Sequence, residues 1–253
     1  DRLSPLSTSR QGVFVAGAFQ EPKDIPETVV EASCAAARAS ALLAVARGTL
    51  TTEAVYPPER DVADEPPHIG VFVCHCGINI GGVVDVPDVV EYAKGLPGVV
   101  YAERNLYTCS QDTQQKITAL VGEHGLNRVV VASCTPRTHE PLFQDTIRQA
   151  GLNPHLFEMA NIREQDAWVH RGSPEVATAK AKELIAMAVS KARRLQPIQR
   201  GSVPVEASAL VIGGGLAGMT AALSIAAQGF PVSLIERQPE LGGNLRHIRI
   251  GVD

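Results

Sequence analysis

The sequence predicts an α/β fold: a parallel-sheet domain in the middle of the chain, flanked by partial Rossmann-like segments. Three observations predict it. Between about residues 68 and 195, short apolar runs alternate with amphipathic helical stretches, the pattern of strands joined by crossover helices. Near the C-terminal end, "ALVIGGGLAGMTAAL" sets a glycine turn between a strand and a helix. Two proline- and turn-rich stretches, "YPPERDVADEPPH" and "QPIQRGSVPVEAS", separate the middle from its flanks. The organisation is thus a first segment over residues 1–55, a linker over 56–67, the middle domain over 68–195, a linker over 196–208 and a third segment over 209–253.

The first segment opens with a short strand, "GVFVAG", and a loop, "AFQEPKDIPE". An alanine-rich helix follows, "TVVEASCAAARASALLAVARG", favoured by its composition and ended at Gly48. In the middle domain "IGVFV" is a fully apolar strand. "VPDVVEYAKGL" is a helix with Pro87 near its start and Gly95 at its end. "GVVYAE" is a second strand. "SQDTQQKITALVGEHG" is a helix with Ile117, Leu120, Val121 and His124 at helical spacing and Ser110 as N-cap. "NRVVVAS" is a third strand, and "RTHEPLFQDTIRQAG" a helix that holds Pro141 in its first turn. "HLFEMA" is a fourth strand and "PEVATAKAKELIAMAVSKARRL" a closing helix. Crossovers between such parallel strands are right-handed. The third segment reads strand, glycine turn, helix, strand.

Composition narrows the function. The 253 residues suffice for one or two packed domains. A formal charge of -4 gives no basic stripe for nucleic acid, and aromatics at 4% supply no stacking platform for bases. No apolar run approaches the roughly 18 residues of a membrane span. The opening "DRLSPLSTSR" lacks the apolar region of a signal peptide. Five cysteines without a secretion signal point to a reducing, cytoplasmic setting, where clustered thiols serve metal or redox chemistry. The chain lacks an initiator methionine and stops at "RIGVD", so it reads as a piece of a longer polypeptide.

Four of the thiols fall on strand ends. Cys74 and Cys76 close the first middle strand, Cys109 follows the second, and Cys134 follows the third. In a parallel sheet these ends emerge on one edge, where open α/β folds form their sites. Four sulfurs suit zinc or an iron–sulfur cluster. A zinc ribbon draws its pairs from compact turns, whereas these ligands come from distant loops, which suits the larger four-iron object. Helices that begin after Cys109 and Cys134 aim N–H groups at the sulfurs and favour thiolate. His75, Arg137 and His139 are candidate neighbours that tune a potential. Cys34, within the alanine-rich helix, reads as a packing residue.

The glycine turn is a G-x-G-x-x-G of Gly213, Gly215 and Gly218, followed by the strand "PVSLIE" that ends in Glu236. Glycines permit the tight turn and close backbone approach, the helix N-terminus faces a pyrophosphate, and the acidic residue takes the ribose hydroxyls. The added "ELGGN", with Gly242, Gly243 and Asn244, tilts the choice from nicotinamide to FAD, because it resembles the second glycine element of large FAD-binding proteins.

Taken together, "VFVCHCGINIGGVVDV", "LYTCSQDTQQKI", "RVVVASCTPRTHEPLF", "LFEMANIREQDAWVH" and "ALVIGGGLAGMTAAL" resemble the family of heterodisulfide reductase A subunits over nearly the whole chain. The resemblance implies an α/β domain carrying a 4Fe-4S cluster on Cys74, Cys76, Cys109 and Cys134. It also implies a following FAD domain, and electron transfer with partner subunits and with ferredoxin- or hydrogenase-type carriers in an oligomeric complex. "GVFVAGAFQEPKDIPETVVEASCAAA" resembles the closing end of such an FAD domain. Gly17 belongs to its flavin turn. Where many relatives of that kind carry an acidic residue this chain has Ala18, so Lys23 or Asp24 takes that contact. The order is then the end of one flavin domain, a whole cluster domain and the start of another, as in a tandem or fused parent. Alternatively the two flavin pieces pack together as a split half-domain.

The function expected from all of this is that of an electron-transfer iron–sulfur flavoprotein, an oxidoreductase in which no side chain acts as acid, base or nucleophile. The rivals are a zinc or thiol-redox α/β module and a non-redox docking scaffold.

Overall fold

The computed structural model describes residues 5–199 and 201–248. The end of the third segment, residues 249–253, lies outside them. Two compact units are present: Ala54–Gly201, and the described parts of Asp1–Glu53 with Ser202–Asp253.

The unit Ala54–Gly201 is built on a four-stranded parallel sheet of β1 (Ile69–Cys74), β2 (Val99–Asn105), β3 (Arg128–Ser133) and β4 (Phe157–Asn161), in the order β2-β1-β3-β4. β1 and β3 sit in the centre and are buried along their whole length, as their unbroken apolar runs require. Side chains alternate between two cores. Ile69, Val71 and Val73 face α2 (Val86–Lys94) and α5 (Pro174–Ala192), where Val86, Val89 and Ile185 meet them. Phe72, Val129 and Val131 face α3 (Gln111–Glu123) and α4 (Pro136–Gln149), through Ile117, Leu120, Phe143 and Ile147. The chain leaves β1 for β2 on one side and reaches β3 on the other. The carboxyl ends of β1 and β3 therefore flank a switch point, where the crevice of such sheets opens.

The sequence misplaces some details here. α4 starts at Pro136, so Pro141 lies in its second turn, where the ring removes the bond an N–H would donate to the Arg137 carbonyl. Ser110 has the extended backbone of an N-cap, but its hydroxyl donates to the Tyr107 carbonyl and shares a hydrogen bond with the Thr113 hydroxyl instead of capping. His124 is exposed, not a core position, and its ring stacks on Tyr101 at 4.3 Å. A π-helical turn, Arg163–Ala167, follows β4.

The second unit joins the two ends of the described chain. Its β5 (Ala209–Ile212) and β6 (Val232–Ile235) pair in parallel around α6 (Leu216–Ala227). α1 (Ile25–Leu43) packs along α6, and Arg47, just past α1, lies over the Phe230 ring at 4.1 Å. "GVFVAG" is not a strand. Among the described residues its one ladder contact is an isolated antiparallel bridge, Ser7 to Phe14. α1 also begins earlier than its composition suggests, because Asp24 accepts the Glu27 amide at 2.8 Å and Pro26 suits the first turn. Contrary to the expectation that no run approaches a membrane span, Ile25–Ala46 is long and apolar enough to cross a bilayer by length and composition, with mean hydropathy 1.5. Its apolarity comes from alanines and valines spread among polar residues, so no unbroken run announces it.

Candidate functional site: a cysteine-lined sheet edge and a glycine groove

Register brings Cys74 and Cys134 to the same edge of the sheet. Cys74 pairs with Asn105, and the neighbouring pair Val73–Ala132 puts Cys74 level with Ser133, one residue below Cys134. Cys109 follows β2 and immediately precedes α3, while Cys134 precedes α4. The C-x-C loop is anchored from its other side: His75 and Cys76 donate their amides to the carbonyls of Asn105 and Leu106 at 2.8 and 2.9 Å. Cys76 has a left-handed backbone, φ 48°, which a side chain other than glycine or asparagine rarely takes. Held so, the C-x-C loop lies against the segment that follows β2. Such strain gathers at functional sites.

Cys74 and Cys134 are buried; Cys76 and Cys109 are partly exposed. Burial pushes the Cys74 thiol up, against the Thr108 amide that donates to its sulfur at 3.4 Å. Burial also pushes Cys134 up, against the nearby Arg163 charge. At neutral pH these two are therefore neutral thiols. Around them His75 Nδ1, Asn105 Oδ1, Thr108 Oγ1 and Ser133 Oγ are buried without a hydrogen-bond partner. Each belongs to a cysteine's chain neighbour or, for Asn105, to the residue paired with Cys74. Buried polar atoms are rarely left unpaired without a reason. This edge supplies thiols, a backbone N–H donor and unpaired polar atoms.

Arg163, in the π-helical turn, reaches the same edge. Its Nη1 donates to Cys76 Sγ at 3.8 Å, its Nη2 to Glu164 Oε1 at 2.7 Å, and its guanidinium lies over Trp168 at 5.0 Å. Sequence reasoning missed Arg163, although a signal was present: "NIREQDAWVH" follows a fourth strand that ends at this edge. Arg137 is exposed and His139 sets its ring edge-on to Phe143; neither bonds to a cysteine. Cys34 is exposed on α1 and lies outside this unit, so it is not the buried packing residue expected.

Among the described residues, no three His, Cys, Asp or Glu side chains stand close enough to share one metal ion. A single zinc gathers its sulfurs within about 2.3 Å of one centre. A cluster offers separate irons to separate thiolates, and thiols after three strands are a donor type that either group accepts.

In the other unit, Gly213 turns the chain with φ +105°, and a Cβ at Gly218 would overlap the Gly213 carbonyl oxygen. Gly215 caps α6, whose N-terminus faces a groove lined by Gly213, Gly215, Gly218, Gly242 and Asn244. Gly242 donates its amide to the Gly214 carbonyl at 2.8 Å, so the second glycine element docks on the first. Gly243 comes up against Gly215 beside it. Glu236 follows β6 and accepts the amides of Gly214 and Gln238 at 2.6 and 2.8 Å. The Gln238 and Gly214 amides hold its carboxyl below the usual range, so it is an ionised acceptor at neutral pH. Gly17 donates to Glu31 Oε2 at 2.8 Å, and Lys23 pairs with Glu31 and bonds to Gln20. With Asp24 capping α1, both residues expected at a flavin already serve the fold, and Glu31 is the acid that meets the glycine turn. Nothing in its position, mid-helix, marks it in the sequence.

A family model for an NAD(P)-binding Rossmann-like domain matches residues 211–252. The chain is 53% identical over 187 residues to the A subunit of the H(2):CoB-CoM heterodisulfide,ferredoxin reductase of Methanothermobacter marburgensis, 74% of this chain and 28% of that protein. It is 52% identical over 187 residues to an iron-sulfur A subunit of the CoB–CoM heterodisulfide reductase of Methanopyrus kandleri, again 74% of this chain and 28% of the relative. To the A subunit of the Ferredoxin:CoB-CoM heterodisulfide reductase of Methanosarcina mazei it is 46% identical over 177 residues, 70% of this chain and 22% of the relative. The chain thus spans 28% of the length of the first of these relatives. Identity at this level across most of the chain, together with the Rossmann-like strand–turn–helix, makes it a homologue of a segment of the heterodisulfide reductase A subunits.

Proposed function

We propose that this chain is the cluster-bearing part of an electron-transfer flavoprotein acting as the A subunits of heterodisulfide reductases do, an oxidoreductase component rather than a complete catalyst. The observation that supports the reading is that Cys74 and Cys76, Cys109 and Cys134 follow the carboxyl ends of three neighbouring parallel strands, β1, β2 and β3. When bound there, a 4Fe-4S cluster supplies one-electron transfer. The chain's part is to ligate through the four thiolates, to brace the C-x-C loop on the Asn105 and Leu106 carbonyls, and to set donors beside the sulfurs. FAD is the proposed ligand of the glycine groove. Gly213, Gly215 and Gly218 admit the pyrophosphate, Glu236 takes ribose hydroxyls, and Gly242, Gly243 and Asn244 close the far side. Gly17, with Lys23 and Asp24 shaping its turn, serves the flavin from the first segment.

Electrons pass between this flavin and clusters of partner subunits, toward disulfide reduction or a related acceptor. The relatives' names, which carry ferredoxin and the CoB–CoM heterodisulfide, support carriers of the ferredoxin or hydrogenase type and a multi-subunit complex, proposed to be cytoplasmic. The test is anaerobic isolation with metal and sulfide analysis. The reading expects a brown protein with iron and acid-labile sulfide in equal amounts, about four each per chain. Stoichiometric zinc, or a folded colourless protein that takes up no iron, overturns it.

A further inference from the structure

We infer that Arg163 is the positioning residue that sets the reduction potential of the group held by the four cysteines, with Glu164 opposing it. The inference rests on the cluster reading above. It stands on three contacts. The guanidinium donates from Nη1 to Cys76 Sγ at 3.8 Å, a separation the large sulfur atom permits. Its other edge is gripped by Glu164, whose Oε1 accepts from Nε at 3.1 Å and from Nη2 at 2.7 Å. Its face lies on Trp168 at 5.0 Å. A planar cation fixed on two edges and one face cannot swing away when the charge beside it changes.

The turn that carries Arg163 is itself tied to the cysteine edge. Ile162 donates its amide to the Ser133 carbonyl at 2.9 Å, next to Cys134, and Asn161 Oδ1 accepts the Glu164 amide at 3.0 Å. Arg163 thus spans from the neighbourhood of Cys134 to Cys76. Its side chain is 22% exposed and that of Glu164 25%, so water screens neither charge fully. π-helical turns of this kind recur at functional sites because they re-aim one side chain.

The electrostatics give signs. Reduction adds one electron to the cluster, taken from the external reductant, and no bond forms or breaks. The added negative charge is stabilised by a cation and a donor to a ligating sulfur, and destabilised by a nearby carboxylate. Arg163 therefore raises the potential and Glu164 lowers it.

The experiment is an anaerobic redox titration of the iron-loaded full chain, followed by the visible and electron paramagnetic resonance signals, with iron measured on every sample. Arg163→Gln should lower the reduction equilibrium constant about tenfold, which for a one-electron couple is about 59 mV. Glu164→Gln should move it the other way. Arg163→Lys, which keeps the charge but not the fork, should fall between the parent and Arg163→Gln. Equal iron with an unmoved potential in Arg163→Gln, or shifts of the same sign in both neutral variants, overturns the inference and leaves the cluster reading standing. If Arg163→Gln fails to hold iron, Glu164→Gln decides: an unmoved potential there overturns the inference. No iron in the parent chain overturns both readings together.

Discussion

The unit Ala54–Gly201 closes around itself, while the unit formed by the two ends of the described chain does not. In the first, β1 and β3 are buried at every residue and helices cover both faces of the sheet. In the second, neither α1 nor α6 buries a residue, and β5 and β6 alternate between half-buried and exposed. Among the described residues, Leu6 is the one buried hydrophobic side chain of that unit. Ile212, Leu223 and Ile235 stay exposed there at 80%, 72% and 54%. Two parallel strands with one crossover helix have too little apolar surface to bury on their own. The glycine turn is nonetheless formed, because Gly213 and Gly214 donate to Ile235 and Glu236 and Gly242 donates back to Gly214. The lesson is that a cofactor loop is held by a few backbone hydrogen bonds across a strand pair, whereas a core needs layers.

Paired substitutions sharpen that contrast, and the largest effect belongs to the core. Phe72 is fully buried and Phe19 is 95% exposed. Phe72→Ala should destabilise the folded middle unit by about 3–5 kcal/mol, and Phe19→Ala should stay within about 0.5 kcal/mol, both read by denaturant titration. Equal effects would break the comparison.

A second effect is electrostatic and sits inside the same unit. Asp166 is fully buried, and neither of its carboxylate oxygens has a hydrogen-bond partner. Burial pushes its pKa from 3.8 up to about 6, against the pull of His170 and Lys180. The folded state therefore holds the proton longer than the unfolded one. Stability from this group is full below about pH 4, falls as the pH rises toward 6, and is lost above it. Asp166→Asn should raise stability by about 3 kcal/mol at most near pH 7, and the gain should vanish near pH 4. Melting curves across that range check it, and a gain independent of pH would contradict the account.

The smallest effect tests the open unit. Arg47 holds the end of α1 to the turn after α6, over Phe230 and on the Gln228 carbonyl at 2.5 Å. Arg47→Ala should cost about 0.5–1 kcal/mol locally. It should speed hydrogen exchange of α1 amides several-fold and leave those of β1 and β3 unchanged. Slower or unchanged exchange in α1 would mean that the two end segments do not hold each other.

The same contrast explains what the sequence discloses. β1 and β3 are legible as unbroken apolar runs, and α3 and α5 because their apolar residues repeat at the helical period and are buried at those positions. The placement of Cys74, Cys109 and Cys134 after three neighbouring strands is legible because strand ends of a parallel sheet share an edge. "GVFVAG" misleads because β-prone residues make a strand only with a partner, and Phe14 finds one bridge. The structural roles of Lys23 and Asp24 are not legible, because the need for a cap and for a mate to Glu31 is invisible without the helix in place. Arg163 escapes notice because its aim depends on a π-helical turn, and no residue spacing announces one.

The central claim is that four specific thiols, set by topology, hold one cluster. Iron and sulfide per chain after anaerobic reconstitution, compared between Cys109→Ser and Cys34→Ser, test it most directly. Cys109 lies at the sheet edge and Cys34 on α1 in the other unit. The account predicts that Cys34→Ser keeps about four irons and that Cys109→Ser loses the intact cluster and its signal. Full iron in Cys109→Ser, or its loss in Cys34→Ser, would contradict it.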